Sequence, residues 1–423
     1  MRGGIGVLAL AWRSAWSRRF GLAVVVASVA LSTFLVLSLE RIRQDVRAQF
    51  AQSVSGTDLI VGARTGGVQL LMYSVFRLGE ATQNIRWSSA QAIAADPAVA
   101  WTIPLSLGDS HEGFPVVGTT RAYFEHFRHG DRQPLVLAQG RPFDGVFEAV
   151  LGADVAERLG YPLGRRLTLS HGTGAFAADA HGDHPFEVVG ILQRTGTPVD
   201  RSVHISLQGM EALHRDWVGG VRVPGLVPSV AAAGEAAADL TPRSVTAVLV
   251  GLKSRTAVFG LQRSIAQYRD EPLMAVLPGV ALDALWQAVG VGERVLWVMS
   301  ALVAGISLAG LVAVVVTGLE QRRRELSILR AVGASPARVL GLLLLEGVLM
   351  TVLGMTFGLA LWALALAGLG PWLQAAYGLD LRLMLGPGEG LWLAAIFGAG
   401  ALASLLPGWR AYRLSLADGL HPR

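Results

Sequence analysis

Apolar runs divide the chain into two kinds of sequence. Four stretches are apolar all round a helix and approach the roughly 20 residues that a bilayer core requires: 20–39, 295–319, 340–366 and 387–407. The last reaches that length only if its helix starts at Pro387. Residues 40–293, between the first and second, change to short runs in which apolar and polar positions alternate, the period of a strand with one buried face. TDLIVGA near 57, AVAWTIPLSLG near 98, FPVVGTT near 114, RLTLS near 166, FEVVGIL near 186, RSVHISL near 201 and SVTAVLVGL near 244 predict strands. EAVLGADVAERLG and AVFGLQRSIAQYR predict helices, which makes the region α+β. VPGLVPSVAAAGEAAADLTP, residues 223–242, is poor in large side chains and reads as a flexible loop. The expected fold class is a membrane protein with four transmembrane α-helices, one N-terminal and three C-terminal, and a large extracytoplasmic α+β domain between the first and second.

Composition supports that class. Of 423 residues, 52% are hydrophobic and only 16% charged, against about a quarter charged in an average soluble domain. A net charge of +5 without a basic tail offers nucleic acid little to hold, so membrane lipid is an expected partner and nucleic acid is not. The absence of cysteine removes disulfides, thiolate zinc sites and thiol catalysis. The first apolar run is longer than the roughly 7 to 15 residues of a signal-peptide core and no small-x-small cleavage site follows it, so it reads as an uncleaved anchor.

Arginine placement sets the orientation. Arg2, Arg13, Arg18 and Arg19 precede the first span, Arg322, Arg323, Arg324, Arg330 and Arg338 lie between the second and third, and Arg410, Arg413 and Arg423 follow the fourth. All three groups are expected on the cytoplasmic side. Arg41, Arg43 and Arg47, just beyond the first span, run against that count.

Candidate chemistry is sparse. LSHGTGAFAADAHGDHPFEVVG brings His171, Asp179, His181, Asp183 and His184 into one segment. Imidazoles and carboxylates are zinc ligands, which makes His181, Asp183 and His184 candidate ligands. The spacing fits no defined zinc motif, and a solvated turn between two strands is the alternative. No nucleophile elbow and no phosphate-binding glycine loop with lysine is present, so no catalytic residue and no cofactor of its own is expected.

LEQRRRELSILRAVGASPARVLGLLLLEG, from Leu319 to Gly347, is the most informative stretch. At about 100° per residue, Glu320, Arg323, Arg324, Ser327 and Arg330 share one helical face, while Leu319, Leu326, Leu329 and Val332 share the other. Gly333 suits a helix stop, and Ser335 followed by Pro336 suits a restart. Residues 320–339 therefore predict an ordered amphipathic connector between two spans. In the third span Gly354 and Gly358 form a Gly-x-x-x-Gly pair, fitting either a dimer contact or packing inside one protomer. Glu346 points to an interface or snorkels to the surface. GVLALAWRSAWSRRF, covering residues 1–19, has an apolar face suited to lying on the inner membrane surface, or is simply the start of the first span.

RRRELSILRAVGASPARVLGLLLLEG resembles the signature of the FtsX-like, MacB/LolC-type permeases of ABC transporters. SGTDLIVGARTG, EAVLGADVAERLGYPLG and VVGILQRTGTPVDRSVHISL resemble the MacB-type periplasmic core domain, and LPGWRAYRLSLADGL, which covers most of the cytoplasmic tail expected at 408–423, resembles the family's closing segment. The resemblance implies an inner-membrane permease subunit, a homodimer or pseudo-dimer, working with a separate cytoplasmic ABC ATPase that binds ATP and Mg. It allows a periplasmic adaptor or substrate-binding protein as a further partner. It also implies that the connector is a coupling helix, with Glu320, Arg323, Arg324, Glu325 and Arg330 meeting the ATPase and Gly333 setting the turn. The implied function is to convert ATP hydrolysis in that partner into movement of the periplasmic domain, for export or extraction of a substrate. Two alternatives stand beside it: a non-transporting signal transducer that controls a periplasmic partner such as a wall hydrolase, and a membrane-anchored metal-binding domain.

Overall fold

The computed structural model describes residues 19–53, 55–79, 81–171, 185–214, 217–218, 221–222, 240–321, 335–377 and 383–413. The chain forms two units, one of residues 1–46 with 290–423 and one of residues 47–289.

The first unit is built on four long helices with windows apolar enough to cross a membrane. Helix α1 (Arg19–Gln52) contains the window Phe20–Ala48 and extends well past the expected end at Leu39. The sequence turns polar at Glu40, Arg41 and Arg43, but ion pairs within one face of the helix let it continue. Arg43 bonds Glu40 three residues back, and Arg41 bonds Asp45 four residues on.

The other three spanning helices are also longer than their apolar runs. In the domain of residues 47–289, the helices are α2 (Gly67–Ser74), α3 (Trp87–Ala94), α4 (Ala122–His126), α5 (Ala153–Leu159), α6 (Leu207–His214) and α7 (Val258–Ala266). Helix α8 (Pro278–Gln321) then begins far before the expected Val295. Its early turns carry Asp283, Glu293 and Arg294 and so read as domain sequence, yet Ala281, Leu282, Leu285 and Trp286 form a packed stripe along them. Helix α9 (Pro336–Tyr377) and helix α10 (Pro387–Arg413) complete the set. Both α8 and α9 open on proline, whose fixed φ and missing N–H suit the first helical position.

The domain is organised on an eleven-stranded mixed sheet. Its strands are β1 (Leu59–Ala63), β2 (Val99–His111), β3 (Phe114–Thr119), β4 (Leu137–Gly140), β5 (Glu148–Leu151), β6 (Arg166–Leu167), β7 (Ser170–His171), β8 (Phe186–Leu192), β9 (Val203–Ser206), β10 (Ala247–Leu252) and β11 (Leu273–Val276). The order is β11-β1-β10-β2-β3-β9-β5-β8-β4, with β7 on β2 and β6 on β8. The β3–β9 and β5–β8 pairs are parallel, and the other neighbours are antiparallel. Strand β1 is buried throughout because both faces are covered. Ile60 packs with Leu70, Leu71 and Tyr73 of α2, while Leu59 and Val61 pack with Ala90 and Ile93 of α3 and Leu261 and Ile265 of α7.

One predicted helix is corrected. EAVLGADVAERLG starts as strand β5 and becomes helical only after Gly152, which takes extended angles and lies against the backbone of Val199 and Asp200. RLTLS holds two short strands rather than one. Most of the 223–242 loop, the tail beyond Arg413 and nearly all of segment 1–19 lie outside the described residues.

Inside the sheet, His204 of β9 is completely buried. Its Nδ1 lies 3.3 Å from the carbonyl of Val150, and its ring centroid is 5.1 Å from that of Tyr123. Burial, reinforced by the charge of Arg77, pushes its pKa down to about 3. The native state therefore holds a neutral imidazole while the unfolded chain takes up a proton near pH 6.5. Stability from this group is complete above that pH and falls as pH drops toward 3, by about 2 kcal/mol between pH 6.5 and 5.0. His214 gives the opposite slope, because the Asp109 carboxylate raises its pKa despite burial. The expected outcome is that His204→Asn flattens the loss of stability on going from pH 7.5 to 5.0. Denaturation of the two proteins at both pH values checks it, and an unchanged slope would refute the assignment.

Candidate functional site

Three sets of contacts relate the long helices to their surroundings. The first lies inside the domain, where the last turns of α1 meet the first turns of α8. The Phe50 ring centroid is 4.2 Å from that of Phe76 and 5.5 Å from that of Trp286, and the Arg47 guanidinium stands 5.3 Å over the Trp286 ring. Aromatic contacts of this kind add to the area they bury and fix relative orientation. Helices α1 and α8 are each continuous through the point in the sequence where the two units divide.

The second set is a charged cluster near the start of α10. Glu389 is fully buried, and its Oε2 accepts from the Gly386 N–H at 3.0 Å. Arg41 reaches it from α1, with Nη1 3.8 Å from Glu389 Oε1 and 3.1 Å from the Met384 carbonyl, while Arg41 Nε donates to Asp45 at 2.8 Å. Glu40 accepts from Arg43 and from Gln44 at 2.7 and 2.6 Å. Glu389 Oε1 accepts no hydrogen bond and is held only by the Arg41 charge, so removing Arg41 would leave a buried carboxylate unpaired, and the cluster ties α1 to α10.

The third set lies within the apolar windows. Gly354 and Gly358 of α9 lie against α1 of the same chain. A Cβ at Gly354 would stand 2.6 Å from Val29 Cβ, and one at Gly358 would stand 2.5 Å from the Ala30 carbonyl oxygen and 2.7 Å from Thr33 Cβ. The backbones approach that closely because both positions lack a side chain. The pair is used inside the protomer, so it lends no support to a dimer contact. Gly347 faces Ser404, and Gly400 faces Thr351, closing α9 on α10 in the same way. Helix α8 meets α1 through Ser307, whose hydroxyl is 2.8 Å from that of Ser32 and 3.1 Å from the Ser28 carbonyl. Trp297 of α8 and Trp392 of α10 have ring centroids 4.3 Å apart.

Of the other residues singled out in the sequence, Arg323, Arg324, Glu325, Arg330 and Gly333 lie outside the described residues. Glu320 falls in the last turn of α8, and Ser335, whose Oγ accepts from Arg338 N–H, sits immediately before α9. His181, Asp183 and His184 also lie outside the described residues, among which no three metal-ligating side chains converge. Within the described domain, His111 is held by the Thr168 carbonyl and Tyr161 hydroxyl, and His126 stacks on Trp101. The TGTPVD run beside Gly152 has a structural role. Asp200 is buried and accepts from the N–H groups of Thr195 and Gly196 and the Thr195 hydroxyl, closing the loop around its carboxylate. Nearby, Arg194 bridges Asp154 and Glu157 of α5.

Two family descriptions cover most of the chain. The MacB-like periplasmic core domain matches residues 20–267, and the FtsX-like permease C-terminal region matches residues 297–416. The chain belongs to the FtsX-like, MacB/LolC-type family of ABC transporter permeases. It is a multi-pass membrane protein, with one spanning helix before and three after a mixed α+β domain. A curated relative is the lipoprotein-releasing system transmembrane protein LolC of Neisseria meningitidis serogroup B (strain ATCC BAA-335 / MC58). It is 24% identical over 224 residues, which is 52% of this chain and 48% of LolC. The matched region thus spans about half the length of that relative. Among solved structures, the periplasmic region of MacB from Actinobacillus actinomycetemcomitans matches at 13% identity and a TM-score of 0.34, over 57% of this chain and 97% of that one. The extracellular domain of the ABC-type transporter YknZ from Gram-positive bacteria matches at 14% identity and a TM-score of 0.31, over 52% of this chain and 99% of that one.

The permease's glycine contacts predict a graded outcome. Gly358→Leu should lower the thermal unfolding temperature in detergent, with an overpacking cost of about 1–3 kcal/mol. Gly310→Leu is the control, because a Cβ at Gly310 meets nothing within 4 Å. Equal behaviour of the two variants would contradict the packing described.

Proposed function

We propose that the chain is the permease subunit of an inner-membrane ABC transporter. It transmits ATP-driven motion of a separate cytoplasmic ATPase to a domain in the periplasm, for export or extraction of a substrate. The observation that carries the reading is the pair of long helices. Helices α1 and α8 are unbroken from their apolar windows into the domain sequence, where Phe50, Phe76, Trp286 and Arg47 clasp their ends together. At its other end α8 leads into the arginine-rich connector, with α9 restarting at Pro336. A helix is stiff along its length, so displacement at one end of such a pair is felt at the other rather than absorbed between.

In this reading the connector face of Glu320, Arg323, Arg324, Glu325 and Arg330 docks on the ATPase, and Gly333 sets the turn. The nucleotide and its Mg²⁺ belong to that partner, and family membership supports an ATPase partner of this class. Two permease subunits, as a homodimer or pseudo-dimer, complete the transporter, and a periplasmic adaptor or substrate-binding protein can present the substrate.

Reversing charge on the connector tests the docking. Arg323→Glu combined with Arg330→Glu should cut co-purification of the ATPase at least tenfold while the permease itself still inserts and unfolds at its usual temperature. Unchanged complex formation, together with unchanged stimulation of ATP hydrolysis, would overturn the assignment.

A further inference from the structure

Between α1, α8 and α10 the membrane unit encloses a cavity of about 300 Å³. Along α1 its lining runs from Glu40 down to Val29, which at about 1.5 Å per residue is on the order of 16 Å. The cavity is therefore elongated along the helices.

The walls decide what can occupy it. Small side chains on two helices, Ala301, Ala304 and Gly305 of α8 with Ala395 and Ala399 of α10, keep the helices from filling the space themselves. Three of the hydroxyls in the wall are already engaged. Those of Ser32 and Ser307 lie 2.8 Å apart, Ser307 is also 2.9 Å from the Val303 carbonyl, and Thr351 donates to the Gly347 carbonyl at 2.9 Å. Ordered water needs two to four polar partners, and these walls do not supply them. One extended hydrocarbon chain fits both the length and the apolar wall.

The ends of the tube differ. At the end nearer the charged cluster stand Glu40 and the tilted pair Trp297 and Trp392, tryptophan being a residue type that favours the headgroup level of a bilayer. Arg43, bonded to Glu40 and with 31% of its side chain exposed, adds a cation at that level. The tube thus has an apolar shaft and an interfacial mouth.

We infer that this cavity is a binding site for one acyl chain of a bilayer glycerophospholipid, taken up lengthwise between α1, α8 and α10 with its headgroup at the Trp297 and Trp392 end. The bound chain supplies packing that α8 lacks from protein between its contacts at Ser307 and Trp297. The inference depends on the membrane spans and this cavity, and it stands or falls independently of ATPase coupling.

Gly305→Leu is the direct test, because a Cβ at Gly305 meets no atom within 4 Å and the new side chain can enter the tube without displacing protein. The full chain, purified in mild detergent, is examined by native mass spectrometry for retained lipid, with Ala395→Leu as a second filling variant. Phe357→Leu, on an exposed part of α9 outside the lining, is the control. The expected result is one phospholipid per protomer in the wild-type and control proteins and at least a fivefold loss in both filling variants. A phospholipid with a photoreactive acyl chain should label the wild-type segment around residues 297–308 and should fail to do so in Gly305→Leu. Retention of lipid by both filling variants would overturn the site. So would absence of lipid from the wild type, capture of a lipidated protein instead of phospholipid, or cross-linking of a second copy at this position.

Discussion

Hydrocarbon cannot hydrogen-bond a peptide group, so each crossing must satisfy its backbone internally, and a single crossing strand can do so only as a helix. That requirement fixes the four spans, and its side effect shapes the rest of the permease. A helix that has paid for nucleation in the membrane extends cheaply into neighbouring sequence that tolerates helical angles. Helices α1 and α8 do this over several turns, where Arg41, Asp45, Glu40 and Arg43 pair along one and an apolar stripe from Ala281 to Trp286 packs along the other.

The charged cluster also resolves a tension in the arginine count. Arg41 and Arg43 lie beyond the first span and oppose the orientation that the other arginines favour. In the structure neither is a loose surface cation, since Arg41 is committed to Asp45, Glu389 and the Met384 carbonyl, and Arg43 to Glu40. Their charges are balanced locally by carboxylates on the same helix and on α10. A tally of arginines along the sequence counts the cations alone and registers neither these neighbouring carboxylates nor Glu389 far along the chain.

Legibility followed the range of the interaction. Strands such as FEVVGIL and the Ser335-Pro336 restart depend on neighbours within a few residues, and the structure has them close to where the pattern placed them, whereas α1 and α8 run well beyond their apolar stretches. EAVLGADVAERLG misled because its first four residues satisfy a helical pattern equally well, and only pairing with β8 and β9 makes them a strand. Gly354 and Gly358 announced close approach, but whether to another copy or to α1 depended on geometry that no local pattern carries. Glu389 and the Ser32–Ser307 pair gave no signal at all, because a lone glutamate before an apolar run and two serines far apart are unremarkable until the helices are assembled.

The close approach of α9 to α1 and α10 has a mechanical consequence. Where glycine brings backbone against neighbouring helix there are no long side chains to lean or re-pack, so sliding would have to break the contact outright. Those three helices behave as one block. Helix α8 differs: none of its apolar window is buried, whereas a third of that of α1 is. Among the described contacts α8 is joined to its neighbours by the Ser307 hydroxyl and the Trp297–Trp392 pair, side-chain contacts that can lean and re-pack where the glycine contacts cannot.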